Sequence, residues 1–117
     1  MSEKKPKKKR NKRTQHPRCI GREWAFQFLF QLDLSGEIEA FEEEVSLFIS
    51  QLNDSPTRPK DDIFEAGTTF CQELSSGVYE RYSELDELIA KYAKNWSVDR
   101  MPTADRNLLR LALFELT

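Results

Sequence analysis

Apolar residues recur at steps of three and four along most of the chain, which is the spacing of amphipathic helices. Residues 22–34, REWAFQFLFQLDL, have this pattern, and Ser35 and Gly36 follow them. Glycine most easily adopts the left-handed conformation found at helix ends, so the first helix is predicted to end here. A second apolar series with glutamates between its members runs over residues 38–52 and predicts a second helix.

A loop and a third helix are predicted next. Residues 53–59, NDSPTRP, contain two prolines and several turn-forming residues, which predict the loop. Asp61 and Asp62 suit the first turn of a helix, where carboxylates meet the positive end of the dipole. The apolar positions that mark the buried face of this helix are Ile63, Ala66, Phe70, Leu74 and Val78. Residues 75–77 predict a bend, after which a continuation or a fourth helix resumes the period at Leu85, Leu88, Ile89, Tyr92 and Trp96.

The last helix is predicted after a break at residues 97–102, because the residue before a proline is biased away from helical dihedral angles. Thr103 is suited to cap this helix, and Asp105 lies in its first turn. Residues 108–116 are apolar at seven of nine positions, which is typical of a helix at the centre of a bundle. The helices before it supply too little covering surface, so we hypothesise a fragment, or a shortened form, of a longer helical domain. No strand pattern is present in the sequence, and the predicted fold class is all-α.

Charge divides the chain into two parts. Residues 1–22 contain ten Lys and Arg against one acid, whereas the remainder contains eight against 19. We predict a disordered basic arm over residues 1–21, because like charges, prolines and glycine bury little apolar surface. A helical domain is predicted over residues 22–117. This split suggests an anionic polymer as the partner of the arm and a basic partner for the acidic body.

Few residues are suited to catalysis or to metal binding. Cys19, Cys71 and His16 are the only cysteines and the only histidine, too few for a disulfide framework or a standard zinc site. The sequence has no glycine-rich phosphate loop and no nucleophile motif. We therefore predict a protein that is not an enzyme and needs no metal or cofactor. The absence of a signal peptide and of a membrane span predicts a soluble, cytoplasmic protein.

Three segments resemble, in order, motifs of the NusB family of bacterial transcription antitermination factors. They are REWAFQFLFQLDL, SSGVYERYSELDELI and NWSVDRMPTADRNLLRLALFEL, and the resemblance covers residues 18–117. It implies a NusB-like helical bundle, here truncated after about five helices, since the segments typical of the family's last helices are missing. It also implies a non-enzymatic role. NusB pairs with the ribosomal protein NusE, and the pair binds boxA RNA in the RNA polymerase antitermination complex and supports ribosomal RNA transcription.

The basic arm supplies the candidate RNA-binding residues, since lysine and arginine neutralise phosphates and release counterions. Arg18 and Arg22 also match basic positions in the arginine-rich N-terminus of the family. The other interpretation of the arm is a solubilising or targeting tail. The full candidate set is Lys7, Lys8, Lys9, Arg10, Lys12, Arg13, Arg18 and Arg22.

The resemblance also implies a partner-binding set, because Phe30, Asp99 and Asp105 match positions through which NusB engages basic NusE. Without the resemblance, Phe30 is interpreted as a core residue and Asp105 as a favourable charge at a helix N-terminus. Arg106 and Arg110 are one helical turn apart and would repel each other. We assign them to internal pairing, with RNA contact left open.

Two other classes of function stay open. The chain also fits the N-terminal RNA-binding domain of a ribosomal RNA cytosine methyltransferase, which requires a downstream domain that binds a methyl donor. A helical protein-interaction module without an RNA role is the second alternative. Pairing with a second copy of the chain stays open as well.

Overall fold

The computed structural model describes residues 16–36, 40–93 and 97–117, and all of their regular structure is helical. The α-helices are α1 (Pro17–Ser35), α2 (Phe41–Asn53), α3 (Asp61–Glu80), α4 (Tyr82–Tyr92) and α5 (Thr103–Leu116), with a 3-10 turn at Val98–Arg100. The predicted all-α fold is confirmed. Trp96 and most of the basic arm lie outside the described residues. Over the described ranges, no helix has the length and apolar character needed to cross a bilayer.

Helix α1 begins at Pro17, five residues before the predicted start at Arg22. Proline suits the first turn of a helix because its φ angle is already helical and its missing N–H is not needed there. The His16 side chain caps this end, where its Nδ1 accepts a hydrogen bond from the backbone N–H of Arg18 at 3.3 Å. The predicted end is confirmed, because Gly36 has a φ of 84°.

The loop before α3 is confirmed, and α3 begins at Asp61 as predicted. Helix α3 continues through residues 75–77 to Glu80, so the predicted bend does not end the helix there. Arg81 interrupts the helical pattern, so the next segment is a separate helix, α4. Gly77 has a packing role: a Cβ placed there would lie 2.0 Å from Cζ of Phe114, so α5 packs its aromatic ring directly on the backbone of α3.

The start of α5 differs from the prediction. Pro102 occupies the N-cap position, and no side chain caps the helix, so Thr103 is not the cap. Asp105 does lie in the first turn. A carboxylate there interacts favourably with the helix dipole even without a capping hydrogen bond.

The buried core is built around α1, which packs along α3 and also contacts α5. A Cβ at Gly21 would lie 3.0 Å from the carbonyl oxygen of Gly67, so paired glycines permit the close crossing of α1 and α3. Within the described residues α5 is covered on one side only, although its apolar pattern predicted a central helix. The main core residues are Ala25, Phe28, Leu29, Leu32, Val45, Phe48, Cys71, Leu74, Val78, Leu85 and Leu111.

Candidate nucleic-acid interface and apolar docking surface

Arg18 and Arg22 converge on the ring of Phe70. The two arginines lie one turn apart on α1, and their guanidinium carbons lie 4.9 Å and 5.4 Å from the centre of that ring. A Cβ at Gly21 would lie 2.8 Å from Cδ2 of Phe70, so the ring rests on the backbone of α1 between the arginines. Cations over an aromatic face are attracted by its negative potential. The structure therefore brings two candidate RNA-binding residues to one aromatic ring.

Phe70 was predicted to lie on the buried face of α3, but it is only partly buried. The helical period placed it correctly on the side that faces α1, yet that period does not show how far a side chain at the edge of the apolar face is covered. Phe70 lies beside a groove of about 680 Å³ between the start of α1 and α3. The groove is lined by His16, Pro17, Arg18, Asp62, Glu65, Ala66, Thr69, Phe70 and Glu73.

Arg22 also has an anionic partner within the domain. Its Nε donates hydrogen bonds to both carboxylate oxygens of Glu115, at 2.9 Å and 3.0 Å. The pair joins the start of α1 to the end of α5 and is partly exposed. Arg22 therefore contributes to the fold, and its assignment to RNA binding stays a prediction. The other candidates, Lys7, Lys8, Lys9, Arg10, Lys12 and Arg13, lie outside the described residues.

A network of ion pairs joins α1, α4 and α5. Arg106 donates to Asp33 through Nε at 2.6 Å and Nη2 at 2.8 Å. Arg110 donates to Asp86 at 2.7 Å and 2.9 Å, and to Asp33 at 3.1 Å. Asn107 Nδ2 also donates to Asp33, at 2.8 Å. The predicted internal pairing of both arginines is confirmed, and the like charges one turn apart are neutralised by carboxylates from two other helices.

Asp33 is the acceptor at the centre of this network. Burial alone would raise the pKa of its carboxyl group, but hydrogen bonds from Arg106 and Asn107, together with the charges of Arg106 and Arg110, hold the pKa below its ordinary value. Asp33 is therefore ionised at neutral pH and remains an acceptor for all three donors. No local sequence signal predicts this pairing, since Asp33 and Arg106 are 73 residues apart.

Phe30, Asp99 and Asp105 are held in neighbouring parts of the structure by Arg106. Phe30 lies one turn before Asp33 on α1, and Asp105 directly precedes Arg106 on α5, so the Asp33–Arg106 pair links their two turns. Phe30 is partly exposed, and Asp105 is exposed. Phe30 is thus compatible with a core role and with partner binding, because its side chain is only partly buried.

The 3-10 turn is attached to the same region. Arg106 Nη1 lies 3.4 Å from the carbonyl oxygen of Val98, which it approaches as a hydrogen-bond donor. Asp99 follows Val98 and is exposed. Arg106 therefore connects the segments that carry the three predicted partner-binding residues, and two of these residues, Asp99 and Asp105, are exposed.

A candidate docking surface lies on α1 and α5. This apolar docking surface is formed by Phe26, Phe30, Leu108, Ala112 and Leu116. Phe26 and Phe30 stack with their ring centres 6.2 Å apart. The outer face of α5 exposes 56% of Leu108 and 82% of Leu116. The groove between the two helices is lined by Arg22, Glu23, Phe26, Leu108, Leu111, Ala112 and Glu115. Apolar surface rimmed by charge is typical of a protein-binding site.

Among the described residues there is no group of three His, Cys, Asp or Glu placed to hold a metal ion. Cys71 is buried in the core, and burial raises the pKa of its thiol to about 11 despite a contact with Ser75. Such a thiol is protonated at neutral pH and is therefore a poor nucleophile.

The comparisons with known proteins agree on one family. A family model described as "NusB family" matches residues 20–117. The transcription antitermination protein NusB of Elusimicrobium minutum is 35% identical over 99 residues, which cover 85% of this chain and 64% of that protein. NusB of Myxococcus xanthus is 38% identical over 99 residues, which cover 85% and 66% respectively. The chain thus spans slightly less than two thirds of the length of these relatives.

A solved structure has a similar fold. A chain in the structure described as "Crystal Structure of a Plectonemic RNA Supercoil" matches with a TM-score of 0.65 and 30% sequence identity. The match covers 83% of this chain and 63% of the other.

Proposed function

The chain belongs to the NusB family, as its three motifs predicted, and we propose that it is a non-enzymatic RNA-binding protein of transcription antitermination. The observation that carries this proposal is the convergence of Arg18 and Arg22 on Phe70 at the point where the basic arm joins α1. Aromatic rings beside basic side chains suit single-stranded RNA, which offers bases for stacking and phosphates for pairing. The similar chain in a structure described as an RNA supercoil also supports an RNA ligand.

The arm supplies most of the charge for phosphates. Residues 1–15 contain eight Lys and Arg against one acid. A segment of this kind provides affinity that decreases as salt increases, because each phosphate contact releases counterions. Phosphate contacts orient RNA but do not read its sequence. Preference for boxA RNA then has to come from contacts to bases on the folded domain.

The protein partner we propose is the ribosomal protein NusE, bound at the apolar docking surface. Phe30 stacks with Phe26 on the apolar docking surface, and Arg106 connects this turn of α1 to the segments that carry the exposed Asp99 and Asp105. Charge at the rim of an interface mainly accelerates and orients docking, whereas a central aromatic residue contributes affinity. The acidic body fits a basic partner, and the resulting pair would bind boxA RNA in the antitermination complex.

The RNA-binding part is tested by titrating the full chain with boxA RNA and with a scrambled boxA sequence over a range of salt. The Arg18→Gln variant should bind more weakly, and the slope of log affinity against log salt should decrease by about 0.7 for one lost phosphate contact on a single strand. Arg100→Gln is the matched control, because Arg100 is an exposed arginine on the 3-10 turn. Failure of the unaltered chain to bind either RNA, alone and with NusE, would overturn the proposal.

The partner-binding part is tested with purified NusE. Asp105→Lys reverses one rim charge and should lower the association rate, with a smaller effect at high salt. Asp62→Lys is the matched control, because Asp62 is also an exposed acid in the first turn of a helix. Both variants lose the same favourable contact with a helix dipole, so equal helix content with unequal NusE binding assigns Asp105 to docking. Equal binding of NusE by both variants would contradict this assignment.

A further inference from the structure

We propose that Phe70 is a stacking platform for one base of single-stranded RNA, in the groove between the start of α1 and α3. We further infer that the carboxylates of this groove select bases that carry an amino group. The inference deepens the RNA-binding function proposed above and rests on it. It assigns base recognition to a residue on α3, whereas the RNA-binding set predicted from the sequence lies in the arm and at the start of α1.

The position of the Phe70 ring is fixed by the backbone of α1. Gly21 has no side chain, and a Cβ there would lie 2.8 Å from Cδ2 of the ring, so no other residue fits without displacing it. Phe70 is nevertheless only partly buried, and the groove opens beside it. A base can stack on such a ring when the exposed Arg18 side chain, whose guanidinium carbon lies 4.9 Å from the ring centre, moves aside.

A contrast on the same helix supports this assignment. Phe64 is 7% exposed and packs edge-to-face on Trp24 at 5.7 Å, which is the behaviour of a core aromatic residue. Arg58 lies over the Phe64 ring and pairs with Asp61. Phe64 is thus covered by an apolar neighbour and a cationic neighbour. Two aromatic residues of one helix therefore differ in accessibility.

The arginines provide the second component of a nucleotide site. The guanidinium carbons of Arg18 and Arg22 lie 4.9 Å and 5.4 Å from the centre of the Phe70 ring, so both positive charges are next to it. Arg18 is exposed and lines the groove itself. A base stacked on Phe70 would carry its own phosphate, and Arg18 lies where it can neutralise that phosphate. Arginine can also stack on a base through its planar guanidinium group.

The volume of the groove suits a base, and its carboxylate lining favours a base over a phosphate. Its volume of about 680 Å³ is within the range of pockets that hold small ligands. Asp62, Glu65 and Glu73 line the α3 side, and all three are exposed. Carboxylates repel phosphate but accept hydrogen bonds from the amino groups of cytosine, adenine and guanine. Uracil has no amino group, so the groove should discriminate against it.

The experiment measures fluorescence anisotropy with short single-stranded oligo(C) and oligo(U) as probes. The unaltered full chain should bind oligo(C) more tightly than oligo(U). Phe70→Leu keeps an apolar contact with α1 and removes the stacking surface, so it should weaken binding to oligo(C) roughly tenfold. The salt slope should stay unchanged, because the phosphate contacts are retained. Phe70→Tyr keeps the ring and should bind as the unaltered chain does.

Two variants keep the test valid if Phe70→Leu unfolds. Ala66→Leu fills part of the groove with a non-aromatic side chain from an exposed position on α3 and keeps the Phe70 ring, so it should also weaken binding to oligo(C). Glu65→Gln combined with Glu73→Gln should reduce the ratio of oligo(C) to oligo(U) affinity. Tyr92→Leu is the matched control, since Tyr92 is an aromatic residue with 72% exposure outside the groove, and its binding should be unchanged.

The outcomes separate this inference from the proposed function. If the unaltered chain binds no RNA, both are overturned. If it binds RNA but Phe70→Leu and Ala66→Leu bind as tightly as Tyr92→Leu, the stacking platform is overturned and the RNA-binding function stands. Equal affinity of the unaltered chain for oligo(C) and oligo(U) would overturn the selection by carboxylates.

Discussion

Asp33 and Arg106 form a two-point salt bridge that fastens the last turn of α1 to the first turn of α5. Their atoms approach to 2.6 Å and 2.8 Å, and the side chains are 15% and 19% exposed. Paired oxygens and nitrogens of this kind fix orientation as well as distance. The pair therefore sets how the turn that carries Phe30 is placed against the turn that carries Asp105, and it connects folding to the proposed partner surface.

Removing the carboxylate from this pair should destabilise the domain strongly. Asp33→Asn leaves Arg106 largely buried without its anion and also weakens the contacts of Asn107 and Arg110, so we expect a loss of about 3 kcal/mol in the free energy of unfolding. Chemical denaturation monitored by circular dichroism measures this loss. Arg106→Lys should also destabilise, because lysine keeps the charge but cannot make the two-point contact.

An exposed pair with the same geometry provides the control. Arg81 donates to both oxygens of Glu84 at 3.0 Å and 2.7 Å, but Glu84 is 59% exposed. Glu84→Gln should therefore lower the free energy of unfolding much less than Asp33→Asn does, because solvent screens an exposed pair. Equal losses for Glu84→Gln and Asp33→Asn would contradict a special contribution from the buried network.

Stability should decrease in acid in a way that depends on Asp33. The pKa of Asp33 is lowered in the folded state, below its ordinary value of 3.8, so the folded chain holds this proton less tightly than the unfolded chain. The stabilisation is complete above the ordinary pKa and is lost as the pH falls through the lowered one. The difference in unfolding free energy between the unaltered chain and Asp33→Asn should therefore decrease as the pH falls from above 3.8 through the lowered pKa of Asp33.

Denaturant titrations at a series of pH values from neutral into this acid range measure the effect. Glu84→Gln again serves for comparison, because Glu84 lies on the surface. A difference between the unaltered chain and Asp33→Asn that stayed constant with pH would show that the destabilisation comes from lost packing and not from the ionised carboxylate.

Local features of the fold were predictable because their causes lie within a few residues. Gly36 ends α1 and Asp61 begins α3 as their residue types indicated, since backbone preference and the helix dipole act over one turn. The start of α1 was missed because the charge of the arm masked the Pro17 signal. The separation of α3 from α4 was predicted only as an alternative.

Contacts between distant residues were not predictable in the same way. The sequence assigned Arg106 and Arg110 to internal pairing, but it did not identify Asp33 and Asp86 as partners, because the register between helices decides which acids come within reach. Phe70 is likewise a candidate because its ring lies against Gly21 of another helix, a contact that the sequence alone does not show. The candidate site therefore depends on how α1 and α3 cross. The family resemblance identified Arg18 and Arg22 on α1 but not Phe70 on α3.

Gly77→Ala should destabilise the domain, against the usual preference for alanine. In an ordinary helix interior this change is favourable by about 1 kcal/mol. Here the added Cβ would meet Cζ of Phe114 at 2.0 Å, so either the ring or α5 must shift, and we expect a net loss of about 1–3 kcal/mol. Thermal unfolding followed by circular dichroism measures the change.

A second substitution identifies the cause of that loss. Phe114→Leu shortens the opposing side chain. Gly77→Ala should therefore cost less stability in a chain that already carries Phe114→Leu than it does in the unaltered chain. A double-mutant cycle gives this coupling, which is expected for residues in contact. Purely additive effects would show that Gly77 is required for a reason other than the packing of Phe114.

Cys19 and Cys71 should react very differently with a thiol reagent. Cys19 is exposed near the start of α1, whereas Cys71 is 2% exposed in the core of α3. The pKa of Cys71 is about 11, so at pH 8 only about one part in a thousand is the reactive thiolate. Labelling with a chromogenic disulfide should modify Cys19 quickly and Cys71 only when denaturant is added.

The Cys19→Ser variant isolates the buried thiol and turns its labelling rate into a measure of how often α3 opens. Cys71 packs in the same core as Leu74 and Val78, so its exposure requires the contact between α1 and α3 to separate. If that separation is global unfolding, Gly77→Ala should accelerate labelling exponentially with the stability it removes, by about tenfold for each 1.4 kcal/mol. Fast labelling of Cys71 that does not respond to Gly77→Ala would instead indicate local opening of α3, on the helix that carries Phe70.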